Sequence, residues 1–473
     1  MPPKLLAVDL DGTLLRSDMV HECFWSALGS NLRGVLHALP ALAQGRAAFR
    51  QRLSGLSNVD IATLPFDEAV IARISAWRGA GGRVVLVSAC EREIAEAIAA
   101  HLGLFDEVLG PDCNPGFGGA ERARLLTERY GKGGYVYLGG SVADLPVWEN
   151  AAKAIVARAT PALREATTRL RAEVEYLGSG ARPLAATVRA MRPHQWTKNI
   201  LVFLPMLTAH LFTLSTLLQS LLAFIAFSLI ASSVYVLNDL LDLAADRAHP
   251  RKCRRPFAAG DLPVSRGGPM AGMLLGAGLL ASLPLGMPFL STMAIYLAMT
   301  TAYSLALKQR AVADICVLAL LYAVRILAGG SATGIPLSVW LLAFAIFFFL
   351  SLAAVKRQAE LVDSARRGKL DLSGRGYSVD DLPVISMMAI GAGYVSVLVL
   401  ALYINSDNVT EVYPSPVFLW GICFVLLYWI GRIVMIAHRG QMHDDPLIFA
   451  VRDNTSRICL TVILGFVIAG SVM

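Results

Sequence analysis

The spacing of apolar and polar positions divides this chain in two. Up to about residue 190 the apolar runs are short and set in mixed sequence. Leu5 to Leu10, Arg83 to Ser88 and Tyr135 to Leu138 have the length and near-continuous apolar character of strands buried on both faces. Between the first two lie about seventy residues with helical character, Phe24 to Leu56 and then Pro65 to Arg78. Buried strands alternating with helices predict an α/β doubly wound sheet with its site at the strands' carboxyl ends. The intervening helices predict a cap at about 15–80. Residues 160–190, with Glu165, Arg169, Arg171 and Glu173, read as a polar helix and linker broken at Gly178-Ser179-Gly180. The first domain is therefore expected to cover 1–180 and the second 181–473.

From residue 197 long apolar runs take over. They fall at roughly 199–215, 217–239, 268–285, 288–306, 313–331, 337–355, 384–404, 415–436 and 456–473. Several approach the ~20 residues that cross a bilayer core. The second domain is expected to be an all-α membrane bundle of about nine transmembrane helices.

Composition sharpens this division. The chain has 473 residues, 55% hydrophobic and 16% charged, with mean hydropathy +0.56. These averages join two unlike halves. The net charge of +7 raises the question of nucleic acid, but the cations of the second half sit in short loops between apolar runs. That placement suits anionic headgroups and phosphorylated substrates, and no nucleic-acid partner is expected. With the first domain in the cytoplasm, alternate loops carry Arg247 to Arg255 and Arg266, then Lys308 and Arg310, then Lys356 to Arg375, then Arg439 and Arg452. The opposite connections, near 216, 286, 332–336 and 405–414, hold no Lys or Arg; the last carries Asp407 and Glu411. The positive-inside rule then places every polar motif on the cytoplasmic face of an inner-membrane, multi-pass protein. No charged segment followed by an apolar stretch and a small-residue cleavage site opens the chain. Seven scattered cysteines, without a CxxC pair, read as reduced packing residues. A homo-oligomer is compatible with all of this.

The first strand ends in Asp9-Leu10-Asp11-Gly12-Thr13. Two carboxylates at i and i+2 project to the same side, Gly12 permits the turn, and Thr13 can bond a phosphate oxygen. Such a pair with Mg²⁺ suits phosphoryl transfer, one carboxylate attacking phosphorus and the other moving the proton. The second strand ends in the hydroxyl of Ser88, and the third runs into Gly139-Gly140-Ser141-Val142-Ala143-Asp144. This region resembles the haloacid-dehalogenase-superfamily phosphatases. The resemblance implies Asp9 as nucleophile, Asp11 as acid and base, Ser88 as phosphate ligand, and Asp144 as a Mg²⁺ ligand with Asp9 and Asp11. It departs from the family at Gly140, where the first acid of GDxxxD is expected. Arg122 and Lys132 both remain candidates for the phosphate-neutralising cation.

In the second half, Asn238, Asp239, Asp242 and Asp246 share one face of a helix end, with Arg247, Arg251, Lys252, Arg254 and Arg255 directly after. Clustered carboxylates suit Mg²⁺ and through it a diphosphate, and the arginines suit the remaining phosphate charge. The plain alternative is a charged helix end at a membrane surface. Other polar sets are Arg192-Pro193-His194-Gln195-Trp196-Thr197-Lys198-Asn199; Tyr303 to Lys308 with Asp314 and Arg325; and Lys356-Arg357-Gln358-Ala359-Glu360. Arg325 lies well within an apolar run, where a guanidinium needs a partner or a polar cavity; Asp314 is one candidate. Lys356 and Glu360 are spaced for a surface ion pair.

The runs and the Asn238-Asp239-x-x-Asp242-x-x-x-Asp246 pattern resemble the UbiA-type intramembrane prenyltransferases, which implies Mg²⁺ and a diphosphate at the aspartates. The second acidic motif of those enzymes is replaced here by Lys356-Arg357-x-x-Glu360. With RPHQWTKN, HPRKCRRPFAAG and YSLALKQ, that replacement resembles the decaprenyl-phosphate phosphoribosyltransferase branch. The branch implies phosphoribosyl diphosphate as donor and a polyprenyl phosphate as acceptor, in contact with membrane lipids. Lys198, Asn199, Arg254, Arg255, Tyr303, Lys308, Arg325, Lys356, Arg357 and Glu360 are then expected around the substrates. A phosphatase in the same chain is expected to remove the 5-phosphate of the product. An aromatic-acceptor prenyltransferase is the alternative.

Overall fold

The structure, a computed structural model, describes residues 4–472 except 45–48, 50, 51, 54, 89–91, 111–117, 171, 179–182, 369, 373, 374, 407, 408, 410–412, 443 and 444. Ser179 and Gly180 of the expected break, Arg171, Lys369, Asp407, Glu411, Cys90 and Cys113 lie outside the described residues. Two compact units emerge: Met1–Arg192 with Tyr235–Met273, and Pro193–Val234 with Leu274–Met473.

The first unit is built on six parallel strands: β1 (Leu5–Asp9), β2 (Arg83–Val87), β3 (Glu107–Leu109), β4 (Val136–Gly139), β5 (Lys153–Ala157) and β6 (Glu173–Leu177). Their order is β3-β2-β1-β4-β5-β6. The chain builds outward from β1 on one side, then returns to lay β4 on the other. The crevice where the order reverses lies at the carboxyl ends of β1 and β4, which places Asp9 and Gly139 at the mouth. Alternation fixes the two faces. Leu6, Val8, Val84, Leu86, Val136 and Leu138 pack into one apolar cluster, and Leu5, Ala7, Val85, Val87 and Tyr137 into the opposite one. Each fully buried Val or Leu contributes about 1.5–3 kcal/mol to the sheet.

Two expectations need correction here. The stretch 160–190 is the helix Pro161–Thr167, strand β6 and the helix Pro183–Met191. Its strand escaped notice because Glu173 and Glu175 interrupt it; Lys153 Nζ pairs with them at 2.8 and 3.0 Å across the sheet edge. The helix Glu68–Gly79, placed within the cap, buries Val70 and Ile74 in the same cluster as β1 and β2, so it is a layer of the sheet. The helices Met19–Ser30 and Leu32–Ala38 remain from the expected cap.

Seven helical segments among the described residues are long and apolar enough to cross a membrane: Leu214–Leu241, Val264–Leu305, Ala313–Thr333, Val339–Arg366, Val379–Ile404, Pro416–His438 and Asn454–Ser471. Val264–Leu305 contains two of the expected spans, joined by a 3₁₀ turn at Leu283–Leu285 and a left-handed Gly286 (φ +81°). The run at 199–215 is not one long helix. It forms a 3₁₀ helix, Pro193–Phe203, and one short α-helix, Leu204–Thr208. Left-handed backbone at Arg192 (φ 53°) and His210 (φ 51°) brackets it, so an apolar run of adequate length is cut short by its ends.

In the second unit the helices Val339–Arg366, Leu382–Ile404 and Trp420–His438 pack closely. A Cβ at Gly393 would lie 2.5 Å from Ile430 Cγ2, so glycine is required for this approach. Ser351 Oγ donates to the Ala389 carbonyl at 2.6 Å, and the Tyr322 and Phe349 rings stack with centroids 4.9 Å apart.

Candidate functional sites

At the sheet's carboxyl edge, Asp9 is almost fully buried. Thr13 Oγ1 donates to its Oδ2 at 3.1 Å, and Arg122 Nη1 donates to its Oδ1 at 2.5 Å. Arg122 reaches in from the helix Gly119–Tyr130 and also lies 3.2 Å from Asp144 Oδ1. Lys132 sits in the exposed turn after that helix and does not join the site. Of the two cations it is Arg122 that reaches Asp9, because a helix interior facing the sheet can deliver a side chain that the turn beyond it cannot. Burial raises the Asp9 carboxyl well above its ordinary range; nearby Asp144 adds to the rise and Arg122 opposes it. Asp11 Oδ1 accepts from the Met19 amide at 2.9 Å, and Ser88 is fully buried at the end of β2.

The donor set here does not fit a resident Mg²⁺ as the sequence predicts. Asp144 Oδ2 already accepts from the Gly140 and Ser141 amides and the Ser141 hydroxyl, at 3.1, 2.9 and 3.1 Å. Its Oδ1 faces Arg122 and the Tyr137 hydroxyl. Gly140 supplies no carboxylate, and a Cβ there would lie 2.6 Å from the Gly12 carbonyl oxygen. Asp144 thus secures the loop after β4 and holds Arg122, in place of the expected metal ligation.

The aspartate motif is divided by a helix break. Asp239 lies in the last turn of Leu214–Leu241, Asp242 caps the next helix, and Asp246 lies within Leu243–Ala248. The Asp242 amide donates to the Asn238 carbonyl at 2.9 Å and the Asp246 amide to the Asp242 carbonyl at 2.8 Å, so the register is helical on each side of the break. Arg255 Nη1 bridges Asp239 Oδ1 and Asp246 Oδ2 at 3.0 and 2.5 Å, and Arg192 also pairs with Asp239. Asp239 Oδ2 is buried without a hydrogen-bond partner.

Among the described residues no three acid, His or Cys side chains converge as a closed metal cage. Yet Asp239 Oδ2 is a buried carboxylate oxygen left without a hydrogen-bond partner, which fits a hard divalent cation entering at Asp239, Asp242 and Asp246 in place of the bridging Arg255. Arg254, next to the bridging Arg255, points to solvent and does not join the aspartates.

The second unit holds three polar clusters. In the first, Arg325 Nε donates to Asn199 Oδ1 at 2.9 Å, Asn199 Nδ2 donates to Ser228 Oγ at 2.9 Å, and Arg325 also bonds the Leu321 carbonyl. The guanidinium lies 5.1–5.7 Å from the ring centres of Phe227, Tyr322 and Tyr296. That answers how an intramembrane arginine is accommodated, and Asp314 is not its partner.

Asp314 is instead the fully buried hub of the second cluster. It lies 2.7 Å from Arg357 Nε and 3.1 Å from Arg375 Nη1, and accepts from the Tyr303 hydroxyl at 2.8 Å. Glu360 pairs with Arg357 and lies 3.6 Å from Arg375 Nε. In the third cluster, Lys198 and Lys356 converge on Asp445 at 2.8 and 3.4 Å, and the Tyr322 hydroxyl donates to the same carboxylate at 3.2 Å. Burial favours a neutral Asp445, but the two ammonium groups overcome it and hold its carboxyl well below the usual range. Lys308 sits half-buried in the 3₁₀ turn Leu307–Gln309.

Sequence reasoning missed Asp445, Arg375 and Gln358. Asp445 caps the short helix Pro446–Arg452 far along the chain, with no motif around it. Arg375 was counted only among the loop charges. Gln358 is fully buried with both ends of its amide unpartnered, beside Arg357 in the motif-like stretch.

Burial pushes Lys198 down to about 8, with Lys356 adding to the fall and Asp445 opposing it. Raising the pH through about 8 therefore removes its positive charge. If Lys198 holds an anionic substrate, KM rises above that pH with kcat little changed. Lys198→Arg flattens the rise, because arginine stays charged. A profile that rises equally in both proteins excludes the role.

Comparison with known proteins gives these clusters their setting. Residues 200–438 match the model of the UbiA prenyltransferase family, and residues 6–149 match that of haloacid dehalogenase-like hydrolases. An uncharacterised protein of Sinorhizobium fredii is 34% identical over 458 residues, 95% of this chain and 88% of that protein. The nodulation protein NoeC of Azorhizobium caulinodans is 40% identical over 281 residues, 59% of this chain and 91% of its own length. The decaprenyl-phosphate phosphoribosyltransferase of Mycobacterium tuberculosis is 43% identical over 191 residues, 39% of this chain and 63% of that enzyme. The chain belongs to the UbiA prenyltransferase family, with a haloacid dehalogenase-like hydrolase domain joined ahead of the membrane helices.

Proposed function

We propose that this protein transfers 5-phosphoribose from phosphoribosyl diphosphate to a polyprenyl phosphate in the membrane, and that its N-terminal domain removes the 5-phosphate from the lipid-linked product. The observation that carries the transfer reading is the cationic replacement of the second acidic motif. Arg357 is fully buried at Asp314, and Lys356 shares Asp445 with Lys198. A lipid diphosphate between two acidic motifs needs metal on both sides. A sugar diphosphate with a 5-phosphate, met by a lipid phosphate, needs fixed positive charge as well. The likeness to the mycobacterial phosphoribosyltransferase supports the same reading. We assign residues 181–473 to the transferase and 1–180 to the hydrolase-like domain, with both sites on the cytoplasmic face of the inner membrane, as the loop charges imply.

A Mg²⁺ ion held by Asp239, Asp242 and Asp246, with Asn238 in support, would neutralise the diphosphate leaving group. In this reading Arg192 and Arg255 release Asp239 and turn to the phosphates. Arg254 supplies further surface charge. Lys198, Asn199, Arg325, Tyr303, Lys308, Lys356, Arg357 and Glu360 bind or orient the remaining substrate groups. The lipid phosphate oxygen attacks the anomeric carbon as its bond to the diphosphate breaks, and the apolar helices hold the polyprenyl chain. At the N-terminal site, Asp9 attacks the 5-phosphorus, Thr13, Ser88 and Arg122 hold the phosphate oxygens, and Asp11 protonates the departing ribose oxygen; water, giving its proton back to Asp11, then hydrolyses the aspartyl phosphate and frees Asp9 and inorganic phosphate.

The test is to incubate the detergent-solubilised protein with phosphoribosyl diphosphate labelled in its 5-phosphate and with polyprenyl phosphate, then extract the lipid. The intact chain yields ribosylated lipid without the label, and Asp9→Asn yields the same lipid with the label retained. Equal retention in both proteins removes the phosphatase role. Prenylation of an aromatic acceptor from a polyprenyl diphosphate, with no ribosylated lipid, removes the transferase assignment.

A further inference from the structure

The aspartate motif does not lie on one continuous helix. Asp239 belongs to a helix that ends at Leu241, while Asp246 belongs to the separate six-residue helix Leu243–Ala248. So short a helix does not hold its own geometry in isolation, and something beyond it must set where Asp246 stands relative to Asp239.

The helix Met19–Ser30 of the N-terminal domain touches both sides of this break. On the far side, Arg247, directly after Asp246, makes a two-pronged pair with Glu22. Its Nη1 and Nη2 donate to the two carboxylate oxygens at 3.0 and 2.7 Å, and the two side chains are only 6% and 3% exposed. Arg247 Nε also donates to the Ala258 carbonyl at 3.3 Å. On the near side, a Cβ at Gly29 would lie 2.6 Å from the carbonyl oxygen of Leu241, so the helix backbone rests directly on the end of the Asp239 helix. Between these two struts lies a cavity of about 250 Å³, bounded by Ser26, Asn58, Asp60 and Thr63 on one side and Asp242 and Ala245 on the other. The space beneath Asp242 is therefore not filled by packing; on this side the Glu22 pair and the Gly29 contact support the break, while Arg255 bridges Asp239 and Asp246 from the other.

We propose that Glu22 is a positioning residue for the aspartate motif, acting through Arg247, so that the N-terminal domain is a structural part of the transferase's metal site. This rests on the reading of Asp239, Asp242 and Asp246 as a divalent-cation site and is independent of any phosphatase activity. Other contacts hold the following loop to the same domain, Arg189 with Asp261 at 2.7 Å and Arg158 with the Gly260 carbonyl at 3.2 Å. They bear on the loop rather than on the two motif helices and serve as controls.

The test is direct binding of Mn²⁺, a hard cation with the same preference for oxygen ligands, to the full-length protein in detergent, followed by the electron paramagnetic resonance of the free ion. The component of interest is the one that Asp239→Asn abolishes. Glu22→Gln weakens that component about tenfold, as loss of a group that orients a ligand does, while Arg189→Ala leaves it unchanged. Arg247→Lys keeps the charge but not the two-pronged bond, shifts the affinity in the same direction by less, and carries the test if Glu22→Gln does not fold. Unaltered Mn²⁺ affinity in Glu22→Gln, or in Arg247→Lys where it is the variant read, overturns the proposal and leaves the metal site standing. If Asp239→Asn binds Mn²⁺ as the unaltered chain does, the metal reading falls and this proposal with it.

Discussion

Asp239→Asn is expected to lower ribosyl transfer by about 10²–10³-fold, the scale on which loss of one well-placed electrostatic group acts on a developing charge. Asp239 is nearly fully buried, is contacted by two guanidinium groups at Oδ1, and leaves Oδ2 without a partner. Asparagine keeps the shape and one carbonyl oxygen but removes the charge that would hold a divalent cation against a diphosphate. The measurement is incorporation of labelled ribose into extractable lipid at saturating Mg²⁺, with the circular-dichroism spectrum of the variant as the check on folding. Full activity in the variant would move the diphosphate site away from this motif. Asp242→Asn is expected to act in the same direction. Its half-exposed position at the helix break leaves it less desolvated, so its loss should cost less.

The second large effect is on stability. Asp314→Asn is expected to destabilise the protein by about 3–5 kcal/mol, the range for removing one partner of a buried ion pair. Arg357 is fully buried and Arg375 mostly so, and Asp314 is the one carboxylate between them that is completely out of solvent. Without its charge, the carboxylate left to Arg357 among the described residues is Glu360, whose side chain is about one-third exposed. Glu360→Gln is expected to cost under about 1 kcal/mol, because solvent screens an exposed partner. Denaturant titration of both variants in the same detergent distinguishes them; equal losses would mean that Asp314 is not the hub of this cluster.

Much of the fold can be read without coordinates because it rests on local regularities. Leu5–Asp9 and Arg83–Val87 are apolar on both faces, which only a covered parallel sheet accommodates. The long apolar runs announce membrane helices by length alone. Strand β6 was hidden because its glutamates find their cations on a neighbouring strand and helix, Lys153 and Arg73, and a pairing across elements leaves no local pattern. The run at 199–215 misled for the opposite reason. Its composition satisfies the length rule, but left-handed backbone at Arg192 and His210, which no residue-type pattern marks, cuts it into a 3₁₀ helix and a short α-helix.

The sequence by itself determined which residues stand together in the motifs: Asp9 with Asp11 after a buried strand, and Asp239, Asp242 and Asp246 at helical spacing. Spacing along a chain suffices for that, since residues two apart on a strand or three to four apart on a helix share a face. Only the tertiary structure decided which charge answers which. It chose Arg122 over Lys132, gave Asp314 to Arg357 and Arg375 rather than to Arg325, brought Asp445 to Lys198 and Lys356, and joined Glu22 to Arg247 across 225 positions of chain. A buried charge must be neutralised by whatever folding brings within about 4 Å. That neighbour is set by packing, on which distance along the sequence has no bearing.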